Sequence, residues 1–462
     1  MNAQGTLHPP ARSPVAAGLD HASEHWKLVA ARSTLGANLR ATAWLLGRWF
    51  TTYRQIFLLV SAANLLLLCL SDLGWIGWRP QAVTLSTANL FLCVLFRNEL
   101  FIRVAHVALV GSCNPVIVPL ALRLRITSCL LHIGGFHRGF AVSGIVWLGV
   151  DLFGPASSAG PAGALLHQLG HALLGLTLIM CLLAIRPIRE AHHNLFELSH
   201  RYLGWAGIAV LWCLVLLREA DAATGRLAPM SRLLAAPCFW FTLGLTITVF
   251  LPWLTVRKAR VKTYSPSQGV IAIKFPGGLG VGAFGRISRT LLGDWHTFAL
   301  VPHATQAKSH LMIVSAVGDF TRGLVEKPPL TLFVRPIKFL GLPYSLQSYK
   351  RAVIVATGAG IAPFLPLLTH EAHRNYHVIW IGRSFQTTFG RRLSDLVFQC
   401  PHLTTWDTAA RGRPNTLELV ASAYRHFDAE VVFIGCNPIA TRELVYGCCA
   451  LGIPAFGPSW DS

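Results

Sequence analysis

Hydrophobic residues are distributed unevenly along the chain and divide it into two halves. The first half contains long apolar runs near 52–71, 82–101, 127–150, 164–185, 198–217 and 236–256. About 20 apolar residues of helix cross a hydrocarbon core of about 30 Å. From Val261 onward the apolar runs shorten to strand length, and glycine and proline become more frequent. The pattern predicts a helical membrane domain followed by folded domains outside the bilayer.

The second half itself shows two successive patterns. The segment YSPSQGVIAIKFPGG alternates apolar and polar residues, which is typical of an exposed antiparallel strand. Further on, strand-like RAVIVATG is followed by helix-like APFLPLLTHEA, and this alternation continues to the end of the chain. Such alternation indicates a parallel sheet with crossover helices. We therefore predict a polar N-terminal segment at 1–50, a six-helix transmembrane domain at 51–257, an antiparallel β-barrel at 261–346 and an α/β domain at 349–462.

The charge pattern supports the membrane prediction and argues against a nucleic-acid partner. The chain carries 40 Lys and Arg against 20 Asp and Glu, a formal net charge of +20. These cations lie mainly at the ends of the apolar runs, as the positive-inside rule describes. The rule predicts a multi-pass protein with both termini in the cytosol, and we favour the plasma membrane. The eleven cysteines form no CxxC pair, so neither a disulfide framework nor a zinc site is indicated.

Two histidines lie at equivalent ends of predicted spans. His137 stands at the cytosolic end of the third span and His200 at the cytosolic end of the fifth. Two imidazoles at equal depth on facing helices can hold one b-type haem between them. The alternative is that both are interfacial residues that anchor helix ends beside Arg138 and Arg201.

A glycine turn follows the first strand of the α/β domain. Gly358 and Gly360 come directly after the apolar run VIVAT, and Pro363 follows them. At the carboxyl end of a parallel strand, glycines let the backbone approach a dinucleotide pyrophosphate. The alternative is that the glycines serve packing. Arg383 and Ser384 end the second strand, where they suit the 2′-phosphate of NADPH, with NADH as the other option.

Together these features resemble the ferric reductase and NADPH oxidase superfamily of transmembrane flavoproteins, and most closely its fungal TmpA-type integral-membrane oxidoreductases. The resemblance implies a ferredoxin-reductase-like module, in which an FAD-binding barrel precedes an NAD(P)-binding domain. GDWHTFAL and SAVGDFTRGL are similar to flavin-binding segments of the family, and FIGCNPIATREL is similar to its nicotinamide-side segment. Similar modules also follow adenylating, synthetase-like domains in some proteins.

The resemblance assigns roles to particular residues. His296 faces the flavin pyrophosphate, Phe298 stacks on the isoalloxazine, and Ala299 replaces a hydroxyl that usually contacts the flavin ring. The other cofactor-binding residues that it implies are Thr297, Gly318, Thr321, Arg322, Gly358, Gly360, Pro363, Arg383, Ser384, Gly435 and Pro438. The catalytic residues that it implies are Phe298, Cys436 and Trp460. The alternative to a catalytic role for Cys436 is a purely structural one, because cysteines are often buried.

The resemblance implies a membrane-bound oxidoreductase that passes electrons from NAD(P)H through FAD to a membrane-associated acceptor, in developmental or redox signalling. Asp151 and Cys213 occupy the positions of the family's outer haem ligands, so only the inner haem is expected. The second hypothesis is a redox-inactive membrane sensor or scaffold that retains the reductase fold. The implied partners are the lipid bilayer, a nicotinamide nucleotide and an unidentified electron acceptor.

Overall fold

The computed structural model describes residues 50–75, 77, 81–154, 161–220, 229–277, 282–302, 309–368 and 375–458. From Thr52 onward the chain forms one compact unit. The predicted N-terminal segment lies outside the described residues, apart from Phe50.

The described part of the first half is helical, and six of its helices pack side by side as a bundle. In chain order the helices are α1 (Thr52–Asp72), α2 (Ala82–Leu95), α3 (Glu99–Gly111), α4 (Leu120–Leu131), α5 (Gly134–Phe153), α6 (Pro161–Leu183), α7 (Arg186–Ala191), α8 (His193–Arg218), α9 (Met230–Ala235) and α10 (Pro237–Leu254). The bundle consists of α1, α2, α5, α6, α8 and α10. Polar contacts cross it, and Ser86 of α2 donates to the carbonyl oxygen of Gly144 of α5 at 2.8 Å.

The prediction of six membrane spans is not confirmed. Among the described residues, α1, α6, α8 and α10 are long and apolar enough to cross a membrane, and a fifth span is gained if α4 and α5 count as one. The predicted second span divides because Asn98 starts a new helix, its side chain accepting from the amides of Leu100 and Phe101. The 14 residues of α2 extend only about 21 Å, which is short of a ~30 Å core. The predicted third span bends by 56° between α4 and α5.

The second half begins with two antiparallel sheets that form the predicted barrel. Its strands are β1 (Arg257–Arg260), β2 (Lys262–Ser267), β3 (Val270–Pro276), β4 (Ala283–Ser288), β5 (His296–Ala299), β6 (Val301–Pro302), β7 (Ser309–Ser315), β8 (Thr331–Val334) and β9 (Phe339–Leu340). One sheet has the order β1-β8-β4-β5 with β9 paired to β4, and the other has the order β2-β3-β7-β6. Alternate side chains such as Ile271, Ile273 and Met312 fill the interior. Helix α11 (Asp319–Glu326) follows β7 and adds Leu324 to this core.

The chain then enters the predicted α/β domain. All pairings in its sheet are parallel, with the order β12-β11-β10-β13-β14. The strands are β10 (Ala352–Thr357), β11 (Tyr376–Gly382), β12 (Leu403–Asp407), β13 (Val431–Gly435) and β14 (Ala455–Phe456). The helices are α12 (Leu365–Leu368), α13 (Phe385–Phe389), α14 (Arg391–Phe398), α15 (Thr408–Arg411), α16 (Thr416–His426) and α17 (Pro438–Ala450), with 3-10 turns at Leu342–Ser348 and Gly358–Phe364.

Both faces of the parallel sheet are covered, which explains why its strands are nearly continuous apolar runs. Ile354 and Trp380 belong to the core on one face, and Val355 and Ile379 belong to the core on the other. The period of two along each strand therefore sets which core each side chain enters.

Ion pairs with buried members join the helices to the barrel and to the α/β domain. The guanidinium of Arg123 in α4 makes two hydrogen bonds to the carboxylate of Glu430, at 2.8 and 3.0 Å. Glu99, at the start of α3, pairs with Arg286 at 2.9 Å and with Arg335 at 3.2 Å in the barrel. Helices α3 and α4, which lie outside the six-helix bundle, thereby contact both the barrel and the α/β domain.

Candidate functional site

The first candidate site lies at the carboxyl edge of the parallel sheet. The central strand β10 leads into Gly358, whose φ of +56° is in the left-handed region that favours glycine. The indole nitrogen of Trp380 on the neighbouring strand donates to the carbonyl oxygen of Gly358 at 2.9 Å. Ligands of open α/β sheets bind at this edge, so the sequence-predicted turn has the required position.

Gly360 is required by packing. A Cβ atom at Gly360 would lie 1.8 Å from the carbonyl oxygen of Gly435, and one at Gly435 would lie 2.4 Å from the carbonyl oxygen of Gly360. The backbones at the ends of two strands therefore touch each other. The packing alternative accounts for Gly360, and its contact with a pyrophosphate stays a prediction. A Cβ at Gly358 would have only Phe389 Cζ nearby, at 3.8 Å, so its requirement is conformational.

The segment after β13 brings Cys436 to the same edge. Its thiol is buried, and burial raises the pKa of Cys436, with hydrogen bonding by Thr357 opposing the shift. The thiol is therefore protonated at neutral pH and is suited to donate a hydrogen bond rather than to attack as a thiolate. Pro438 occupies the first turn of α17, where the side chain of Asn437 caps the helix by accepting from the amide of Ala440 at 2.9 Å.

The turn after β11 presents Arg383 to solvent. Ser384 adopts a left-handed conformation with φ of +44°, and its amide donates to Asp407 Oδ1 at 3.0 Å. Asp407 also accepts from the amide of Ala409 at 2.8 Å. The hydrogen bond from the Ser384 amide has the largest effect and lowers the pKa of Asp407. The hydrogen bond from the Ala409 amide and the nearby Arg383 guanidinium lower it further. Asp407 is absent from the sequence-based prediction, although an acidic residue at the carboxyl end of a parallel strand is a recognisable feature.

The second candidate site lies on the barrel and is aromatic. The ring of Phe320 in α11 stacks on His296 with centroids 3.9 Å apart and lies 6.5 Å from the ring centroid of Phe298. His296 Nε2 is buried and has no hydrogen-bond partner in the described part of the chain. Burial lowers the pKa of His296, opposed by Asp294, so the imidazole is neutral at pH 7. Phe320 was not among the predicted residues, although it lies within the quoted segment SAVGDFTRGL.

The start of α11 adds hydrogen-bond donors beside these rings. The hydroxyl of Thr321 accepts from the amides of Val317 and Gly318, both at 3.0 Å. The first intrahelical bond runs from the amide of Arg322 to the carbonyl of Gly318, which leaves the amides of residues 319–321 without an intrahelical acceptor. The guanidinium of Arg322 is exposed and donates to the Val317 carbonyl at 3.2 Å. Helix N-termini of this kind favour anions such as phosphate.

The two candidate sites belong to domains that pack on each other. Val270, Val301 and Leu311 of the barrel share one core with Ile361 and Phe364, which lie in the glycine turn. The turn is thus held directly against the barrel.

Other predicted residues are separate from this pair of sites. Along β5, Thr297 is exposed, and Ala299 pairs with Phe284. Pro363 is half-buried within the 3-10 turn. Trp460 lies outside the described residues.

The predicted haem residues line one cavity of about 780 Å³ inside the bundle. His137 Nδ1 lies 2.9 Å from the carbonyl oxygen of Cys93, which can only accept, so His137 donates from Nδ1 and keeps Nε2 free. His200 Nδ1 is buried without a hydrogen-bond partner among the described residues. This donor set is compatible with two axial imidazoles, and the haem stays a prediction. No cluster of three or more His, Cys, Asp or Glu in the described ranges could hold a metal ion.

Comparisons with known proteins identify what the chain is similar to. Residues 342–462 match a family model described as the C-terminal domain of adenylate-forming reductase 03009. Two curated relatives from Coprinopsis cinerea match 89% of this chain: adenylate-forming reductase 03009 at 32% identity and adenylate-forming reductase 06235 at 30%. The chain spans 40% of the length of each of these relatives.

Among solved structures, the similarities have low scores. Phthalate dioxygenase reductase is 12% identical, with a TM-score of 0.35, over 44% of this chain and 68% of that one. Flavohemoglobin from Malassezia yamatoensis, with bound FAD and heme, is 13% identical, with a TM-score of 0.36, over 81% of this chain and 99% of that one. Similarities of this size support no functional inference.

The curated relatives correct the family prediction. The assignment to the ferric reductase and NADPH oxidase superfamily, and to its TmpA-type members, is wrong, because the similar curated proteins are named adenylate-forming reductases. The predicted electron transfer to a membrane-associated acceptor is wrong with it, and the redox-inactive scaffold is not favoured either. A fold does not determine a function, and the motifs behind the assignment report mainly the barrel and the sheet. The chain is similar to a part of adenylate-forming reductases that includes their C-terminal domain.

Proposed function

We propose that the chain is an oxidoreductase that binds FAD and NAD(P)H and supplies the reducing step of an adenylate-forming reductase-like system. The observation that carries the proposal is the packing of the glycine turn at the end of β10 against the barrel that presents His296 and Phe298. The word reductase in the relatives' names supports it. The adenylate-forming step that those names also mention would use ATP.

The barrel site has the chemistry that a flavin dinucleotide needs. The faces of Phe298 and Phe320 suit an aromatic ring system and exclude water from it. The free amides at the start of α11 and the exposed guanidinium of Arg322 suit phosphate oxygens. The unpaired His296 Nε2 can accept or donate one further hydrogen bond. When bound, FAD would supply the acceptor for a hydride from the nicotinamide.

The sheet edge has the chemistry that a nicotinamide dinucleotide needs. Thr357 ends the central strand and Gly358 follows it, where the pyrophosphate of a dinucleotide would lie. Arg383 offers a fork of donors for the 2′-phosphate of NADPH, and Asp407 holds the turn that carries it. The protonated thiol of Cys436 adds a weak donor beside the turn.

We also propose that α1, α6, α8 and α10 cross a lipid bilayer, with both termini cytosolic. Large apolar side chains on α1 are exposed, including Leu59 at 68%, Leu65 at 59% and Leu66 at 58%. Contiguous apolar surface of this kind needs a partner, and a helix of 21 residues spans about 30 Å. Retention of the full chain in membranes after an alkaline carbonate wash would support the proposal, and its release into the supernatant would contradict it.

The reductase proposal is tested with the full chain purified in a mild non-ionic detergent. We expect denaturation to release FAD in stoichiometric amount from the purified chain, either as isolated or after incubation with FAD. We also expect the chain to oxidise NADPH with ferricyanide as an artificial electron acceptor. Phe298→Ala should lose flavin, and Arg383→Ala should keep flavin but bind NADPH more weakly. Arg391→Ala, which removes an exposed arginine on the nearby α14, is the matched control. Absence of both flavin and NADPH oxidation in a folded preparation would contradict the proposal.

A further inference from the structure

The cavity in the helical bundle is cationic at one end and apolar along its length. Its cationic lining consists of Arg97, Arg138, Arg186, Arg189 and Arg201, and the imidazoles of His137 and His200 also line the cavity. No Asp or Glu stands among the lining residues that the structure describes. From this combination we infer that the cavity binds an anionic amphiphile, a molecule with a carboxylate or phosphate head and a long apolar chain. The inference does not rest on the proposed reductase function.

At the cationic end, Arg186 pairs with Glu190 at 2.9 Å, whereas Arg97, Arg138 and Arg201 have no carboxylate partner in the part of the chain that the structure describes. The side chain of Arg97 lines the cavity and makes no hydrogen bond or ion pair with the described parts of the chain. The guanidinium of Arg138 lies over the ring of Tyr53, 5.7 Å from its centroid, which supplies no full negative charge. Arg201 donates to the carbonyl oxygens of Leu292 and Gly293, at 2.5 and 3.1 Å. Guanidinium groups beside apolar walls are costly unless an anion pairs with them, and a ligand headgroup would supply that anion.

The remainder of the cavity is an apolar channel between helices. On α8, cavity-lining residues recur from His200 to Leu211 at helical spacing, a length of about 16 Å. The opposing walls are apolar and come from Leu173, Leu176, Met180, Leu245 and Val249. A Cβ at Gly204, on the lining face of α8, would lie 3.7 Å from Met180 Cε, so a larger side chain there would intrude into the channel.

Size and charge together select the ligand class. A volume of about 780 Å³ lies in the range of binding sites for drug-sized ligands. Arginines gathered at one end suit a single anionic head, and the channel suits one flexible apolar chain. A free long-chain carboxylate and a single-chain phospholipid share this chemistry.

The test uses the full chain in a neutral detergent and the fluorescent probe 11-(dansylamino)undecanoic acid. We expect saturable binding of the probe, with displacement by oleate at about tenfold lower concentration than by oleyl alcohol, which has the same chain without the charge. Oleoyl lysophosphatidic acid tests whether a phosphate head is preferred to a carboxylate. Either preference supports the inference and identifies the headgroup.

Variants separate the head site from the channel. Arg97→Gln and Arg138→Gln should each lower the affinity for oleate about tenfold and leave the affinity for oleyl alcohol unchanged. Arg125→Gln, an exposed arginine of α4 outside the cavity lining, is the matched control. Gly204→Leu should lower the affinity for both competitors. This variant still tests the channel if an arginine variant does not fold.

Three results would overturn the inference. The first is equal displacement by oleate and oleyl alcohol in the unaltered chain. The second is unchanged oleate binding in both arginine variants. The third is a Soret band in the purified chain that disappears in His137→Ala, because the cavity would then be a haem site.

Discussion

The contact between Gly360 and Gly435 gives a sharp prediction about the glycine turn. In Gly360→Ala the new methyl carbon would lie 1.8 Å from the carbonyl oxygen of Gly435, whereas a carbon and an oxygen atom pack at about 3.2 Å. The turn and β13 must therefore separate by more than 1 Å, although Ile361 and Phe364 of the turn and the strand β13 are buried. We expect a loss of about 3 kcal/mol, at the upper end for overpacking. For a folding unit of 150–250 residues, this lowers Tm by about 6–12 °C.

Gly358→Ala is the matched comparison, since it adds the same methyl group two residues earlier. That methyl group meets only Phe389 Cζ at 3.8 Å, so the cost is the left-handed backbone, about 1–2 kcal/mol. Thermal unfolding of the full chain in detergent, followed by tryptophan fluorescence, measures both variants. The reasoning would be refuted if Gly360→Ala melted at the wild-type temperature, or if Gly358→Ala were the more damaging change.

Further predictions concern the domain contact and the sheet edge. Glu430→Gln should lose about 3 kcal/mol of stability in chemical unfolding, because buried Arg123 loses the charge it pairs with, and wild-type stability would contradict this. Burial raises the pKa of Glu430, but hydrogen bonds from Arg123 and the Lys350 amide outweigh it and hold the pKa below its ordinary 4.5. The stability that Glu430 contributes is therefore present above pH 4.5 and lost as pH falls through the lower folded value, so Tm should fall less steeply with acid in Glu430→Gln. Arg383→Ala should raise the KM for NADPH about tenfold and leave the KM for NADH unchanged, and equal effects on both would show that Arg383 contacts no 2′-phosphate. Iodoacetamide at pH 7 should leave NADPH oxidation intact, because the buried thiol of Cys436 is protonated, and rapid inactivation that Cys436→Ser removes would contradict that state.

The sequence predicts those elements whose pattern is continuous. Helices α1, α6, α8 and α10 follow from unbroken apolar runs, and the parallel sheet follows from short apolar strands that alternate with helices. The second and third predicted spans fail because hydropathy sums carry no information on local hydrogen bonds. The Asn98 cap divides one run into two helices, and the other bends by 56° between α4 and α5.

The site could be located from the sequence more easily than it could be explained. Gly358 and Gly360 stand out by type and position, yet the contact that requires Gly360 comes from Gly435 on another strand. Phe320 and Asp407 can be seen in the sequence, but their contacts arise only when the fold brings α11 onto β5 and β12 beside β11. The motif resemblance predicted the barrel and the parallel sheet correctly but assigned the wrong family. The reason is that the motifs describe a scaffold that occurs in several kinds of reductase.

The most direct test of the proposed function is an anaerobic titration of the FAD-loaded full chain with NADPH, followed by the flavin absorbance. The account predicts that the oxidised flavin band bleaches in proportion to added NADPH, and that Phe298→Ala shows no such band. A chain that is folded, holds FAD and keeps the oxidised band through excess NADPH and NADH would contradict it.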